Sequence, residues 1–180
     1  MKLAVFSDIH ANLTAFRACQ AFADHLGADG YVLLGDFVSD CPDPHATMEH
    51  LRSMAARKPC YMVFGNREQY LFDHELNPNS WSVSSQTGSL LYTYQHLTAE
   101  DMQFLRALPK KKRIEIPGCA PILACHGSPD SINQLIYPGT READKLLKNL
   151  DEAVLLVGHC HVQYRYEAFG KQLINPGSLG

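Results

Sequence analysis

The six cysteines include no C-x-x-C pair, tryptophan occurs once, and positive charge is not in excess. Each shortage removes a class of function. Without paired thiol motifs, neither a zinc ribbon nor a thioredoxin-like redox site is expected, and Cys19, Cys41, Cys60, Cys119 and Cys125 read as reduced thiols packed as small hydrophobes. Cys160 stands between two histidines, but in a turn its side chain is expected to face away from them. A formal charge of -3 gives no general attraction to nucleic acid or to an anionic membrane, so duplex nucleic acid is disfavoured as a partner. The basic run Lys110 to Arg113 reads as the lead-in to a solvated edge strand. No apolar run approaches the roughly 18 residues of a membrane span, and Leu3 to Phe6 is far too short for a signal sequence. The chain therefore reads as cytoplasmic.

What is present is a core. At 180 residues and 46% hydrophobic, the chain can bury one core of ordinary domain size, and one domain over residues 1–180 is expected. Strand and helix patterns alternate in the first half. Strands are predicted at Leu3 to Phe6, Tyr31 to Leu34 and Tyr61 to Phe64. Between them, Asn12 caps one helix, and Asp43-Pro44 supplies a cap and first-turn proline for another. Short apolar strands separated by amphipathic helices mean βαβ units and a parallel sheet. From Tyr70 to Gln95 the pattern loosens into a loop or short helices. Thr98 and Asp101 then form a capping box, with Leu97 and Met102 as its staple, for a helix to about Leu108. The second half is strand-rich: Arg113 to Ile116, Ile122 to Cys125, Val154 to Val157, Tyr164 to Phe169 and Gln172 to Ile174. One further helix is predicted near Glu142 to Leu150.

The chemistry lies just beyond the ends of those strands. Asp8 and His10 come after the first, Asp36 after the second, Asn66 after the third, His126 after Cys125, and His159 and His161 after Val157. In open α/β sheets ligands gather outside the carboxyl ends of the strands. Carboxylate, carboxamide and imidazole together favour two divalent first-row ions, manganese foremost with iron, zinc, cobalt or nickel as alternatives, over calcium. A carboxylate shared by two such ions, most naturally Asp36, lets them acidify a water between them and neutralise a phosphoryl group. Singly, each residue has a plainer reading as a helix cap, turn former or hydrogen-bonded histidine. All seven in order at strand ends do not.

These residues make the chain resemble the calcineurin-like metallophosphoesterases, whose signature runs D-x-H, G-D, G-N-[HCD]-[DE], a later H, then G-H-x-H. The likeness extends to the small bacterial and archaeal phosphodiesterase-type branch with D-I-H-[AG]-N, H-G-S-P, G-H-T-H and N-P-G-S. Here these stand as Asp8 to Asn12, His126 to Pro129, Gly158 to His161 and Asn175 to Ser178. The resemblance implies an α/β fold, a four-layered α/β/β/α sandwich of two mixed sheets with the metals at one edge. It implies a first metal site from Asp8, His10, Asp36 and His161, and a second from Asp36, Asn66, His126 and His159. It places Asn12 near the phosphate, beside its role as a cap, and the Asn175 to Ser178 turn near the site.

Three departures stand out. Many members carry a histidine where this chain has Arg67, and an arginine stays charged and cannot act as a general acid. Arg67 can still bind and neutralise phosphoryl oxygens, which implies activity favouring good leaving groups. Glu68 stands where Asp or Glu is usual. Relatives with the N-P-G-S turn often continue with further strands, so this is either a compact member or a shortened chain with an open sheet edge.

The leading expectation is a phosphoric ester hydrolase acting on small phosphodiester, phosphomonoester or phosphoanhydride substrates, with Asp36, Asn66 and Arg67 in catalysis. The alternative is a catalytically weak binding or scaffold protein on the same fold, as in the retromer subunit that shares it. Phe37 to Cys41 and the segment around Trp81 are expected to shape a substrate pocket or a contact in a homo-oligomer.

Overall fold

Residues 30–34 read Gly-Tyr-Val-Leu-Leu and are buried without interruption. A strand hidden on both faces needs apolar partners on each side. The computed structural model describes residues 1–84 and 87–180 and supplies both partners. Strands β1 (Leu3–Phe6), β2 (Gly30–Leu33) and β3 (Cys60–Met62) form one sheet in that order. A second sheet runs β4 (Lys111–Ile114), β5 (Ile122–Cys125), β6 (Val154–Leu156), β8 (Lys171–Asn175), β7 (Tyr164–Ala168). The helices are α1 (Leu13–His25), α2 (Pro44–Ala55), α3 (Asn66–Leu76), α4 (Gly88–His96), α5 (Ala99–Arg106) and α6 (Arg141–Asn149).

Alternation along the strands builds the layers. Tyr31 and Leu33 point to a core shared with Phe16 of α1, Met48 and Leu51 of α2, Leu71 of α3 and Leu105 of α5. Val32 and Leu34 point the other way, to a core shared with Ile114, Ala124 and Leu156 of the second sheet. On that sheet's far face, Leu123, Leu155 and Leu173 pack against Ala143 and Leu147 of α6. The order helix, sheet, sheet, helix is set by the period-two pattern of the strands. Each fully buried aliphatic side chain contributes about 1.5–3 kcal/mol.

The expectation of two mixed sheets holds for the larger one, which is antiparallel at β4·β5 and β7·β8 and parallel between. The smaller is parallel throughout. Its strands are joined through α1 and α2, the crossover that a parallel pair requires. Three residues of the basic run, Lys111, Lys112 and Arg113, lie within edge strand β4 itself and are exposed. Charged side chains there discourage pairing with other chains.

Local signals hold in most places. Asn12 caps α1 by accepting from the Ala15 N–H at 3.1 Å. The Thr98 and Asp101 box opens α5. Pro44 starts α2, but the Asp43 side chain makes no capping bond. The irregular stretch holds the end of α3 and most of α4, joined by turns at 77–84; Ser85 and Gln86 lie outside the described residues. Trp81 stacks on His74, with centroids 4.1 Å apart, and packs on the first core. Phe37 and Val38 are wholly buried in that core, which corrects their expected place in a pocket or subunit contact. Cys125 is the one buried thiol among the six free cysteines, and burial pushes its pKa to about 12.

Candidate metal centre

Five of the seven candidate donors, Asp8, His10, Asp36, His159 and His161, have φ between 49° and 64°. This left-handed conformation is uncommon for residues with a side chain, and it clusters at functional sites. Here it turns the chain sharply after β1, β2 and β6, so that side chains from separate strands face one rim. Glycine makes the approach possible. A Cβ on Gly65 would lie 2.6 Å from the Asp36 backbone N and 2.9 Å from His126 Cε1. One on Gly158 would lie 2.8 Å from Asp8 Oδ2.

Two triads converge at the rim. Asp8, His10 and His161 form one, and Asp36, His126 and His159 the other, with the donor atoms of each within 4.8 Å of one another. Asp36 lies between them: its Oδ2 is 4.0 Å from His10 Nε2 and 3.4 Å from His126 Nε2. Asn66, the first residue of α3, brings Oδ1 to 2.8 Å from His126 Nε2. All seven residues singled out in the sequence thus meet in space. Cys160 does not join them; its Sγ lies 3.2 Å from Asn175 Nδ2.

The supporting bonds are specific. His126 Nδ1 donates to the Leu34 carbonyl at 2.7 Å, leaving Nε2 to face the rim. Asp8 Oδ2 accepts from Ser7 Oγ at 2.5 Å and from the His159 N–H at 3.0 Å. Glu68, fully buried, accepts from the N–H groups of Gly65, Asp36 and Phe37 at 2.8, 2.9 and 2.8 Å. It locks the loop after β2 to the loop after β3. Asn175 binds the Gly158 carbonyl at 2.7 Å, while Ser178 Oγ reaches the Asp8 carbonyl at 2.9 Å. The Asn175 to Ser178 turn therefore fastens two donor loops together. These holding roles escape the sequence, because apart from Gly65 the groups that Glu68 and Asn175 bind here are 17 or more residues away along the chain.

Asn12 and Arg67 sit differently. Besides capping α1, Asn12 donates to the Leu179 carbonyl at 3.2 Å. Arg67 gives its N–H to Asp36 Oδ1 at 2.8 Å, and its guanidinium lies 3.1 Å from Asp40 Oδ2.

The charges show what the rim accepts. Burial opposes ionisation of Asp8, yet the nearby His161, His126 and Ser7 outweigh it and hold the carboxyl below its ordinary range. Burial likewise opposes charge on His126, but Asp36, Asp8 and the Leu34 carbonyl prevail and push it up to about 9. Asp8 holds His161 up as well. His159 moves down, through burial and the neighbouring His126. Burial and Asp36 raise Glu68 to about 7. The rim is built around buried carboxylates that call for positive charge.

The donor geometry suits a cation. Asp8 Oδ1 is buried with no hydrogen-bond partner. His161 Nε2 lies 3.2 Å from it without the alignment of a hydrogen bond, and 3.2 Å from His10 Nε2. Two imidazole nitrogens and an unpartnered carboxylate oxygen aimed at one region are a donor set that could hold a divalent metal ion.

Comparison with known proteins agrees. An uncharacterised protein of Methanocaldococcus jannaschii is 27% identical over 197 residues, covering 99% of this chain and 76% of that protein. A metallophosphoesterase from Sphaerobacter thermophilus, 27% identical, superposes with a TM-score of 0.77 over 100% of this chain and 77% of its own. A hypothetical protein from Pyrococcus horikoshii shares the fold at TM-score 0.84 and 22% identity, covering 99% of this chain and 77% of its own. The model of the calcineurin-like phosphoesterase superfamily domain matches residues 1–180. Matched along its whole length, the chain belongs to the calcineurin-like phosphoesterase superfamily and is a metal-dependent phosphoric ester hydrolase.

Proposed function

We propose that the protein is a dinuclear phosphoesterase of the cytoplasm, acting on small phosphodiester, phosphomonoester or phosphoanhydride substrates. The observation that carries the reading is Asp36, whose Oδ2 stands within 4.0 Å of a donor nitrogen from each triad. A carboxylate so placed can serve two ions at once. When bound, a pair of divalent ions supplies an activated water and neutralises charge at phosphorus.

The chain's own residues do the rest. Asp8, His10, Asp36 and His161 would hold one ion, and Asp36, Asn66, His126 and His159 the other. Asn66 adds a carboxamide at the reacting centre. Arg67 binds a phosphoryl oxygen and, being permanently charged, hands no proton to the leaving group. Manganese suits this donor set, as do other first-row ions. Asn12 is a weaker substrate contact, since both ends of its carboxamide already have backbone partners.

Hydrolysis of bis-p-nitrophenyl phosphate and p-nitrophenyl phosphate, with manganese added or chelated, tests the reading on wild type and Asp36→Asn. Metal-dependent turnover that is lost in the variant supports it. Metal binding without turnover of either ester would favour the scaffold alternative.

A further inference from the structure

Asp40 is not one of the seven donors, yet its carboxylate touches both the metal centre and the substrate-binding cation. Its Oδ2 lies 3.1 Å from His10 Nδ1, off the line of a good hydrogen bond, and 3.1 Å from Arg67 Nη2. Its Oδ1 accepts from Ser89 Oγ in the first turn of α4 at 2.8 Å. With φ at 70°, the residue is turned back toward the rim.

We propose that Asp40 is a specificity-determining residue that makes the site favour monoanionic phosphodiesters over dianionic phosphomonoesters. A free guanidinium would offer a phosphomonoester two donors matched to its second charged oxygen. Paired with Asp40, Arg67 contributes no net charge, and the carboxylate itself repels a second negative charge on the substrate. A diester carries one charge and loses less. Contact with the outer nitrogen of His10 also keeps Asp40 close to the reacting phosphorus, so its charge is felt there. This inference rests on the phosphoesterase reading and sharpens it to a substrate class.

Asp40→Asn tests it, because asparagine keeps the shape and one acceptor oxygen, enough for Ser89, while removing the charge. The manganese-loaded protein is titrated with inorganic phosphate by calorimetry, and kcat/KM is measured for the two p-nitrophenyl esters, whose leaving group is the same. Phosphate is expected to bind about tenfold tighter in the variant, a change between the bulk-water and near-surface strengths of one unit-charge interaction. The diester-to-monoester ratio should fall by a similar factor. Arg67→Ala should move both quantities in the opposite direction. Unchanged phosphate affinity and an unchanged ratio in Asp40→Asn would overturn the proposal, as would weaker phosphate binding. If neither ester is turned over but phosphate binds tighter in Asp40→Asn, the hydrolase reading fails while the role of Asp40 stands.

Discussion

The Nδ1 of His126 and the carbonyl oxygen of Leu34 are joined at 2.7 Å, and that bond ties the second sheet to the first at the metal edge. It satisfies a carbonyl at the end of β2 and fixes the imidazole so that Nε2 is the nitrogen offered to the rim. On the proposed dinuclear reading, His126→Gln is expected to lower the metal content of manganese-loaded protein from two ions per chain to one, and to reduce turnover at least about a hundredfold. Element analysis of the purified variant beside wild type checks this. Two retained ions would remove His126 from the donor set.

Glu68 holds two loops through three backbone N–H groups, and glutamine is nearly the same shape. Its amide has one acceptor oxygen and two donor hydrogens, which meet an N–H with the wrong polarity. Glu68→Gln is expected to cost roughly 2 kcal/mol, or about 4–8 °C in melting temperature for a chain of this size. Calorimetry of the metal-free protein would show it, and an unchanged melting temperature would mean that the loops hold without the carboxylate.

Acid stability should depend on Asp101. Burial works to raise its pKa, but Arg52, the Thr98 amide and hydroxyl, and His45 outweigh it, and the carboxyl ends below its ordinary value of 3.8. A carboxyl depressed in the folded state adds stability that is complete above the unfolded pKa and is lost as pH falls through the folded one. Asp101→Asn should therefore be clearly less stable than wild type in urea at about pH 6, by roughly 1–3 kcal/mol. The gap should narrow toward pH 3, with chelator present throughout. A gap that is constant with pH would show that the charge of Asp101 plays no part.

Arg67 makes a prediction about leaving groups. With no proton donor at that position, departure depends on the leaving group's own acidity. Across a series of phosphodiesters, log kcat/KM should fall steeply as leaving-group pKa rises. A flat dependence would point to another proton donor or to a step other than bond cleavage.

Much of the site was legible from residue order because the fold ties donors to strand ends. Asp8, Asp36, Asn66, His126 and His159 each come after an apolar run, and parallel strands deliver such positions to one edge. The four layers follow from the family resemblance, whereas the residues themselves show only an apolar β2 buried on both faces; the structure sends Leu33 and Val32 to different cores. Helix α3 was hidden because its first residue, Asn66, is also a donor, and its opening cap is Gly65, which has no side chain to announce it. Phe37 and Val38 gave no local sign of burial, since they belong to no regular element and are covered by helices distant in sequence. Asp40 acts through His10, Arg67 and Ser89, and Glu68 through Asp36 and Phe37, all 27 or more residues away where no spacing rule reaches; only the Gly65 bond of Glu68 is local.

Diffraction from crystals grown with manganese, recorded to reveal its anomalous signal, tests the shared-carboxylate centre most directly. Two peaks roughly 3.5–4 Å apart, with Asp36 between them and Asp8, His10 and His161 around one, Asn66, His126 and His159 around the other, are the expected result. A single peak, or Asp36 turned away from both ions, would contradict it.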